Sequence, residues 1–473
     1  MEFEAEDEEY LEPMSPSSEY LKSSALSLTI LGVLELENPI DDSLTMPLIK
    51  DVFLPINPRF SSIMVTKKKN LKKWKKVEVN LKDHVNTPTF PSDMSIEYYD
   101  QCFAEYLSNL STEQLPSHRP LWEIHIIKYP TTNAAANVIF KLHHSLGDGY
   151  SLMGALLSCL QRIDNPSIPL TFPTRQTTVL RQKTHDRAFR SVPTFFKGLF
   201  NTAYDFGWGV FKSSMIEDDK SPIRSGEDGV EFRPIVTVTT SFSIDQIRQI
   251  KTRLKVTMND VVTGIITYGT RVYMQRSNKK SGEAKSTALV LLNTRAIGGY
   301  KSVSEMVKPD AEMPWGNRFA FLHISLPKLT NSDDQNPLKF VKKARQMIKR
   351  QRNSGTVYLT AQLLNFIRKI RGPEATAKYI HGTLKNTSMA ISNLMGPVEK
   401  MGLSNQPVKG LYFAVAGPPQ SLSVTLVSYV GKMRVAITVE KGFIDQNKFK
   451  SCIEYAFEAI FKAAFDSNPA TEL

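Results

Sequence analysis

The chain has 473 residues, 41% of them hydrophobic, 10% aromatic and 22% charged. That composition supports a substantial core and excludes wholesale disorder and a collagen-like chain, and three dispersed cysteines (Cys102, Cys159, Cys452) exclude a disulfide framework. The excess of 59 basic over 47 acidic residues, +12, suits an anionic partner: nucleic acid, a membrane surface or a phosphate-bearing cofactor.

In chain order, the first 12 residues carry seven acids and no base. A secretory signal needs a basic start and an apolar core, so residues 1–16 are expected to form an acidic, disordered, solvated tail. A short apolar run follows at Ser27–Leu36. Lys67–Lys76 then packs seven lysines into ten residues. One reading is a solvated loop or the guard of an edge strand; the other is a contact for anionic lipid headgroups or cofactor phosphates. No nucleic-acid motif accompanies the run, so nucleic acid is not expected. Helical periodicity covers Glu97–Leu110, and strands are predicted at Trp122–Lys128 and Asn137–Leu142. Asp148-Gly149 opens a helix to about Arg162, with Leu152, Leu156, Leu157 and Leu160 on one face.

Residues 171–230 turn polar, then aromatic, then acidic, and read as a long crossover linker. Within it Val192–Lys212 holds seven aromatic residues, suiting either a segment in a membrane interface or a crossover packed on the core. A strand at Ile235–Phe242 follows, and Ser243 with Gln246 has capping-box spacing. Further helices are predicted at Met258–Gln275, Pro337–Arg352 and Asp445–Ala464. Further strands are predicted at Ala288–Leu292, Phe319–Leu326, Leu422–Val430 and Lys432–Val439. Gly410–Gly431 is uncharged, but Pro418-Pro419 interrupts it and its second half alternates with strand period. A pair of buried strands is therefore expected there rather than a membrane span. Strands and helices mix throughout, giving an α/β (α+β) class with one half at 17–170 and the other at 231–473.

The strongest chemical signal is His143-His144-Ser-Leu-Gly-Asp148-Gly149. A strand leads in and a helix leads out, so the histidines sit where a strand ends. Histidine is the usual general base near neutral pH. An acid four residues on can fix the imidazole or its loop. Gly149 can take a backbone angle that other residues resist, and leaves room for substrate. Adjacent strand residues face opposite ways, so no metal site is expected. No GxSxG nucleophile elbow is present.

This segment resembles the HHxxxDG signature of CoA-dependent acyltransferases, a superfamily that includes chloramphenicol acetyltransferase, condensation domains and the plant BAHD enzymes. Five further blocks resemble the wax ester synthase/diacylglycerol acyltransferase family, in its order: Asn57-Pro-Arg-Phe-Ser-Ser62, Arg119-Pro-Leu-Trp-Glu123, Met258-Asn-Asp-Val-Val262, Leu292-Asn-Thr-Arg295 and Ser392-Asn-Leu-Met-Gly-Pro397. The plant branch is the nearest likeness. Asp205-Phe-Gly-Trp-Gly209 spells a BAHD motif, but lies only 57 residues after Asp148 (205 − 148), whereas BAHD enzymes carry it near the C-terminus. From His143 the segment also fits the Hx4D spacing of glycerolipid acyltransferases, whose usual membrane spans are not evident in this sequence.

The resemblance implies a two-domain, chloramphenicol-acetyltransferase-like sandwich with the active site in a tunnel between the halves. It implies transfer of a long-chain acyl group from acyl-CoA to a fatty alcohol, giving a wax ester, with diacylglycerol as a second acceptor. His144 would be the base, with His143 in a supporting, structural role, and Asp148 would orient the loop, with Arg295 as its partner. Asn259 would donate to the oxyanion, or would cap its helix. Acyl-CoA would be a co-substrate, with no bound cofactor. The expected location is the endoplasmic reticulum membrane or the plasma membrane, on the cytosolic side. The alternatives are a BAHD-like enzyme acting on a soluble metabolite and a non-catalytic lipid-binding protein.

Overall fold

The computed structural model describes residues 11–67, 71–170, 216–293, 315–329, 336–353, 356–404 and 406–466, except Ser15 and Pro169. Two large mixed sheets organise them. The first has seven strands, in the order β5 (Val85–Asn86), β6 (Trp122–Ile127), β7 (Ala136–His143), β2 (Thr29–Leu36), β14 (Gln406–Ala416), β13 (Met401–Leu403) and β8 (Gln161–Arg162). Alternate residues of β2 and β7 feed opposite faces. Ile30, Leu34, Val138, Phe140 and Leu142 pack under helix α2 (Gly149–Ser158) through Leu152, Met153 and Leu157. Leu31, Val33 and Ile139 pack under helix α1 (Ile96–Thr112) through Leu107 and Leu110. With both faces covered, β6 and β7 are buried at every position.

The second sheet has six strands, in the order β11 (Phe319–Ser325), β10 (Thr287–Asn293), β12 (Met389–Leu394), β15 (Leu422–Tyr429), β16 (Lys432–Glu440) and β9 (Ile235–Ser243). Helices α3 (Ile244–Leu254), α4 (Met258–Ser277), α5 (Leu338–Asn353) and α7 (Gln446–Asp466) share its core. Thr257 caps α4 by accepting from the Asp260 N–H while Asp260 accepts from the Thr257 N–H, a complete capping box. A helix the sequence pattern did not reveal, α6 (Thr356–Lys385), bends at Gly372-Pro373, where Gly372 has φ 83°. Glycine tolerates that angle and proline cannot continue the helical hydrogen bonding, so the two residues read as a break.

Three expectations are corrected. The acidic tail does not stay disordered to residue 16: β1 (Leu11–Pro13) pairs with β4 (Leu71–Lys76), which pairs with β3 (Ser62–Lys67). The lysine-rich strand is thus the middle of a three-stranded sheet, not its guarded edge. Trp74 is its buried anchor, and Lys72 Nζ donates to the Lys22 carbonyl at 2.9 Å. Second, Gly410–Gly431 does hold two buried strands, but they do not pair with each other. β14 joins the first sheet antiparallel to β2, whereas β15 joins the second. Gly417, at φ 91° ahead of Pro418, makes the turn between sheets, and a Cβ there would strike the Ser27 carbonyl. The second half of the sequence therefore completes the sheet of the first. Third, the helix from Gly149 ends at Ser158, and Gln161–Arg162 is a strand against Met401–Gly402.

Two contacts fasten the assembly. Arg434 of β16 donates to Glu35 of β2 at 2.6 Å. Asp218, at the end of the expected linker, is buried and accepts from the backbone N–H groups of Thr287 and Ser388, joining β10 to β12. Val192–Lys212 and the Asp205–Gly209 motif lie outside the described residues.

Candidate active site

The site is built where β7 hands over to α2. His143 ends the strand and is buried, and its ring is pinned on both sides. The Ser145 N–H donates to Nδ1 at 3.1 Å, so Nδ1 carries the lone pair and Nε2–H donates to Ser27 Oγ at 3.1 Å. Burial holds its pKa well below the usual histidine value, with Lys22 and His144 pushing the same way. His143 is thus a neutral structural pin.

His144 faces the other way. Its N–H donates to the Leu28 carbonyl at 2.8 Å, and its ring stands edge-to-face with Phe319 at 5.6 Å. Nδ1 lies 2.9 Å from Asn317 Oδ1, and Asn317 Nδ2 donates to the His144 carbonyl at 2.8 Å. Burial lowers its pKa from the ordinary value, with a hydrogen bond to its own backbone, the Asp148 charge and Asn317 acting in the other direction. A neutral imidazole at pH 7 is the form a base needs.

Asp148 is the N-cap of α2. One carboxylate oxygen accepts from the Ser151 N–H at 3.0 Å and the other from the Arg318 N–H at 2.8 Å. Ser151 Oγ in turn donates to the Gly316 carbonyl at 3.1 Å. The Leu146 carbonyl accepts from Trp315 Nε1 at 2.7 Å and from Arg59 Nη1 at 3.3 Å. The motif loop is therefore sewn to residues 315–318 and to the Asn57–Ser62 block. Trp122 of the Arg119–Glu123 block donates to the Phe60 carbonyl at 2.8 Å, and Phe60 stands edge-to-face with Trp315 at 6.0 Å. These two blocks support the site from beneath. Arg119 and Lys141 both lie against the Glu123 carboxylate, on the sheet face under α1.

Gly149 does not take the unusual backbone angle expected of it: its φ is not positive, and it is the first residue of α2. What it provides is space. A Cβ would lie 2.9 Å from Leu394 Cδ1, so the missing side chain lets the second half of the chain close onto the helix start, and that space is taken by Leu394. Next to Leu394, Asn393 Nδ2 donates to Asn259 Oδ1 at 3.4 Å. The Asn-Asp and Ser-Asn blocks thus meet beside the motif. Asn259 does not cap its helix, because Thr257 does. Arg295 lies outside the described residues. Asn317 was not legible as a site residue: it belongs to no block, and its only signal is a Gly-Asn pair just ahead of a strand.

Comparison with known proteins identifies the family that the chain resembles. Residues 53–262 match the family model "Wax ester synthase/diacylglycerol acyltransferase catalytic domain" and residues 315–461 match "WS/DGAT C-terminal domain". Wax ester synthase/diacylglycerol acyltransferase 6 from Arabidopsis thaliana is 27% identical, over 99% of this chain and 97% of the relative. Number 5 from the same plant is 28% identical, over 93% and 91%. Among solved structures, the wax ester synthase/diacylglycerol acyltransferase from Marinobacter aquaeolei VT8 superposes with a TM-score of 0.58 at 15% identity, over 96% of this chain and 99% of that one. The first condensation domain of the CDA synthetase gives 0.56 at 11% identity, over 97% of each chain. The two-domain fold of the chloramphenicol acetyltransferase type is thus the observed one.

Proposed function

Because the chain belongs to the wax ester synthase/diacylglycerol acyltransferase family, and so is an acyltransferase using acyl-CoA, we propose that His144 is the base of a direct transfer to a lipid hydroxyl. The observation that carries this reading is a buried, neutral imidazole at the strand end, held through Nδ1 so that Nε2 is left to act. His144 Nε2 takes the proton of the bound alcohol. The alcohol oxygen attacks the thioester carbon, a C–O bond forms, and the carbonyl electron pair moves to oxygen. The oxyanion collapses, the C–S bond breaks with its pair going to sulfur, and the imidazolium returns the proton to the thiolate. Ester and free CoA leave, with no covalent acyl-enzyme.

Asn259 is the proposed oxyanion donor. Its Oδ1 is engaged by Asn393, which leaves its Nδ2 hydrogens to point elsewhere. The proposed acceptors are long-chain fatty alcohols and diacylglycerol, and the proposed place of work is the cytosolic face of the endoplasmic reticulum or the plasma membrane. No helix of the described residues is long and apolar enough to cross a membrane. A surface attachment has support in α6, where exposed Phe366 and Ile370 stand one turn apart with exposed Lys369 between them, next to α5 with seven bases and no acid.

The test uses labelled palmitoyl-CoA with hexadecanol and diacylglycerol in competition. Wild type should make wax ester, and His144→Ala should lower the rate by roughly 10²–10⁴-fold. A rate unchanged by the substitution overturns the mechanism. No product with either acceptor overturns the choice of acceptor.

A further inference from the structure

We propose that Asn317 is a positioning residue that sets the tautomer of His144, and that Asp148 reaches the base through it; the idea rests on His144 being the base. An amide can present either end to an imidazole, and here the orientation is dictated by a second contact. Asn317 Nδ2 donates to the His144 carbonyl at 2.8 Å, so the other end, Oδ1, must face Nδ1 at 2.9 Å. A carbonyl oxygen only accepts. Nδ1 therefore carries the hydrogen, and Nε2 holds the lone pair that a base needs.

The two hydrogen bonds close a small ring between one residue's side chain and the other's imidazole and main chain. Within it the imidazole can neither flip nor change tautomer without losing a buried bond. The amide is neutral, so it orients the ring without the strong pull on protonation that a carboxylate would exert.

Asn317 is itself held. Asp148 accepts from the N–H of Arg318 and from that of Ser151, while Ser151 Oγ and the Gly316 backbone exchange two hydrogen bonds at 3.1 and 3.2 Å. The motif aspartate thus anchors the four residues that deliver Asn317. This gives the spacing between His144 and Asp148 a physical meaning: one turn of loop and helix start places the carboxylate on the Arg318 N–H, just ahead of β11.

The experiment has two arms. In the first, histidine-labelled protein is examined by ¹⁵N NMR, with the His144 signals assigned by their loss in His144→Ala. Wild type should show an unprotonated Nε2 and a protonated Nδ1, and Asn317→Ala should populate the other tautomer. This arm needs no turnover, so it stands even if the acyl-transfer reading fails. In the second, the pH dependence of kcat/KM is measured. Asn317→Asp, nearly isosteric, places a carboxylate on Nδ1 and should move the acid limb up by about one unit or more. Asn317→Ala should lower kcat about 10- to 100-fold with little change in KM for acyl-CoA, because an interaction with the base and not with substrate has been removed. A wild-type tautomer with hydrogen on Nε2 overturns the proposal, and so does an acid limb that Asn317→Asp leaves in place.

Discussion

His143 and His144 are neighbours with opposite surroundings, and the strand's two-residue period is the cause. One ring turns toward Ser27 and Ser145, the other toward Asn317 and Phe319. Removing the first should damage the fold more than the chemistry. His143→Ala orphans the Ser145 N–H and leaves a void, and should lower stability by about 1–3 kcal/mol in urea unfolding while keeping far more activity than His144→Ala. That the two histidines face opposite ways was legible from their position at a strand end. The partner of His144 was not, because Asn317 is 173 residues away in sequence and nothing local marks it. Gly149 shows a different gap: a glycine signals either an unusual φ or a close approach, and only the position of Leu394 decides which.

At the scale of elements, α4 is the most constrained helix, buried from Asp260 to Met274. Its Gly264 and Gly269 let neighbouring helices approach. Helix propensity alone favours alanine over glycine by about 1 kcal/mol. At Gly269, however, a Cβ would lie 2.6 Å from Ile453 Cδ1 and 2.9 Å from the Cys452 carbonyl, which is backbone and cannot rotate away. Overpacking of that kind costs about 1–3 kcal/mol, so packing outweighs propensity. Gly269→Ala should therefore lower the melting temperature; a rise would show that α7 can shift to make room. Elements with a clean period were legible almost to their ends: the strand expected at Asn137–Leu142 is Ala136–His143, and the helix expected at Met258–Gln275 is Met258–Ser277. α6 was hidden because Gly372-Pro373 punctuates its pattern. The acidic start and the lysine run each read as solvated charge; pairing them through β1 and β4 required knowing that they meet.

At the scale of the molecule, the two sheets are not two independent halves of the sequence. β14 returns to the first sheet, and Glu35 and Arg434 bridge the sheets, a topology that composition and period do not encode. The surface of α6 carries the membrane prediction. Phe366 is 62% exposed and Ile370 65%, so changing them should leave the fold intact. The double variant Phe366→Glu, Ile370→Glu should lose flotation with vesicles containing anionic lipid and keep its rate on detergent-solubilised substrates. Undiminished flotation would place the attachment on another surface.

The central claim is that a neutral His144 takes the proton of the acceptor hydroxyl. The measurement that tests it most directly is the pH dependence of kcat/KM for palmitoyl-CoA with hexadecanol, in wild type beside His144→Ala. Burial lowers the His144 pKa, so its neutral form persists below the usual histidine range, about 6.5. Wild-type activity should therefore hold from neutral pH down past that value and fall only below it, on a limb absent from the much weaker activity of His144→Ala. A limb that survives in His144→Ala, or a variant as fast as wild type, would contradict the account.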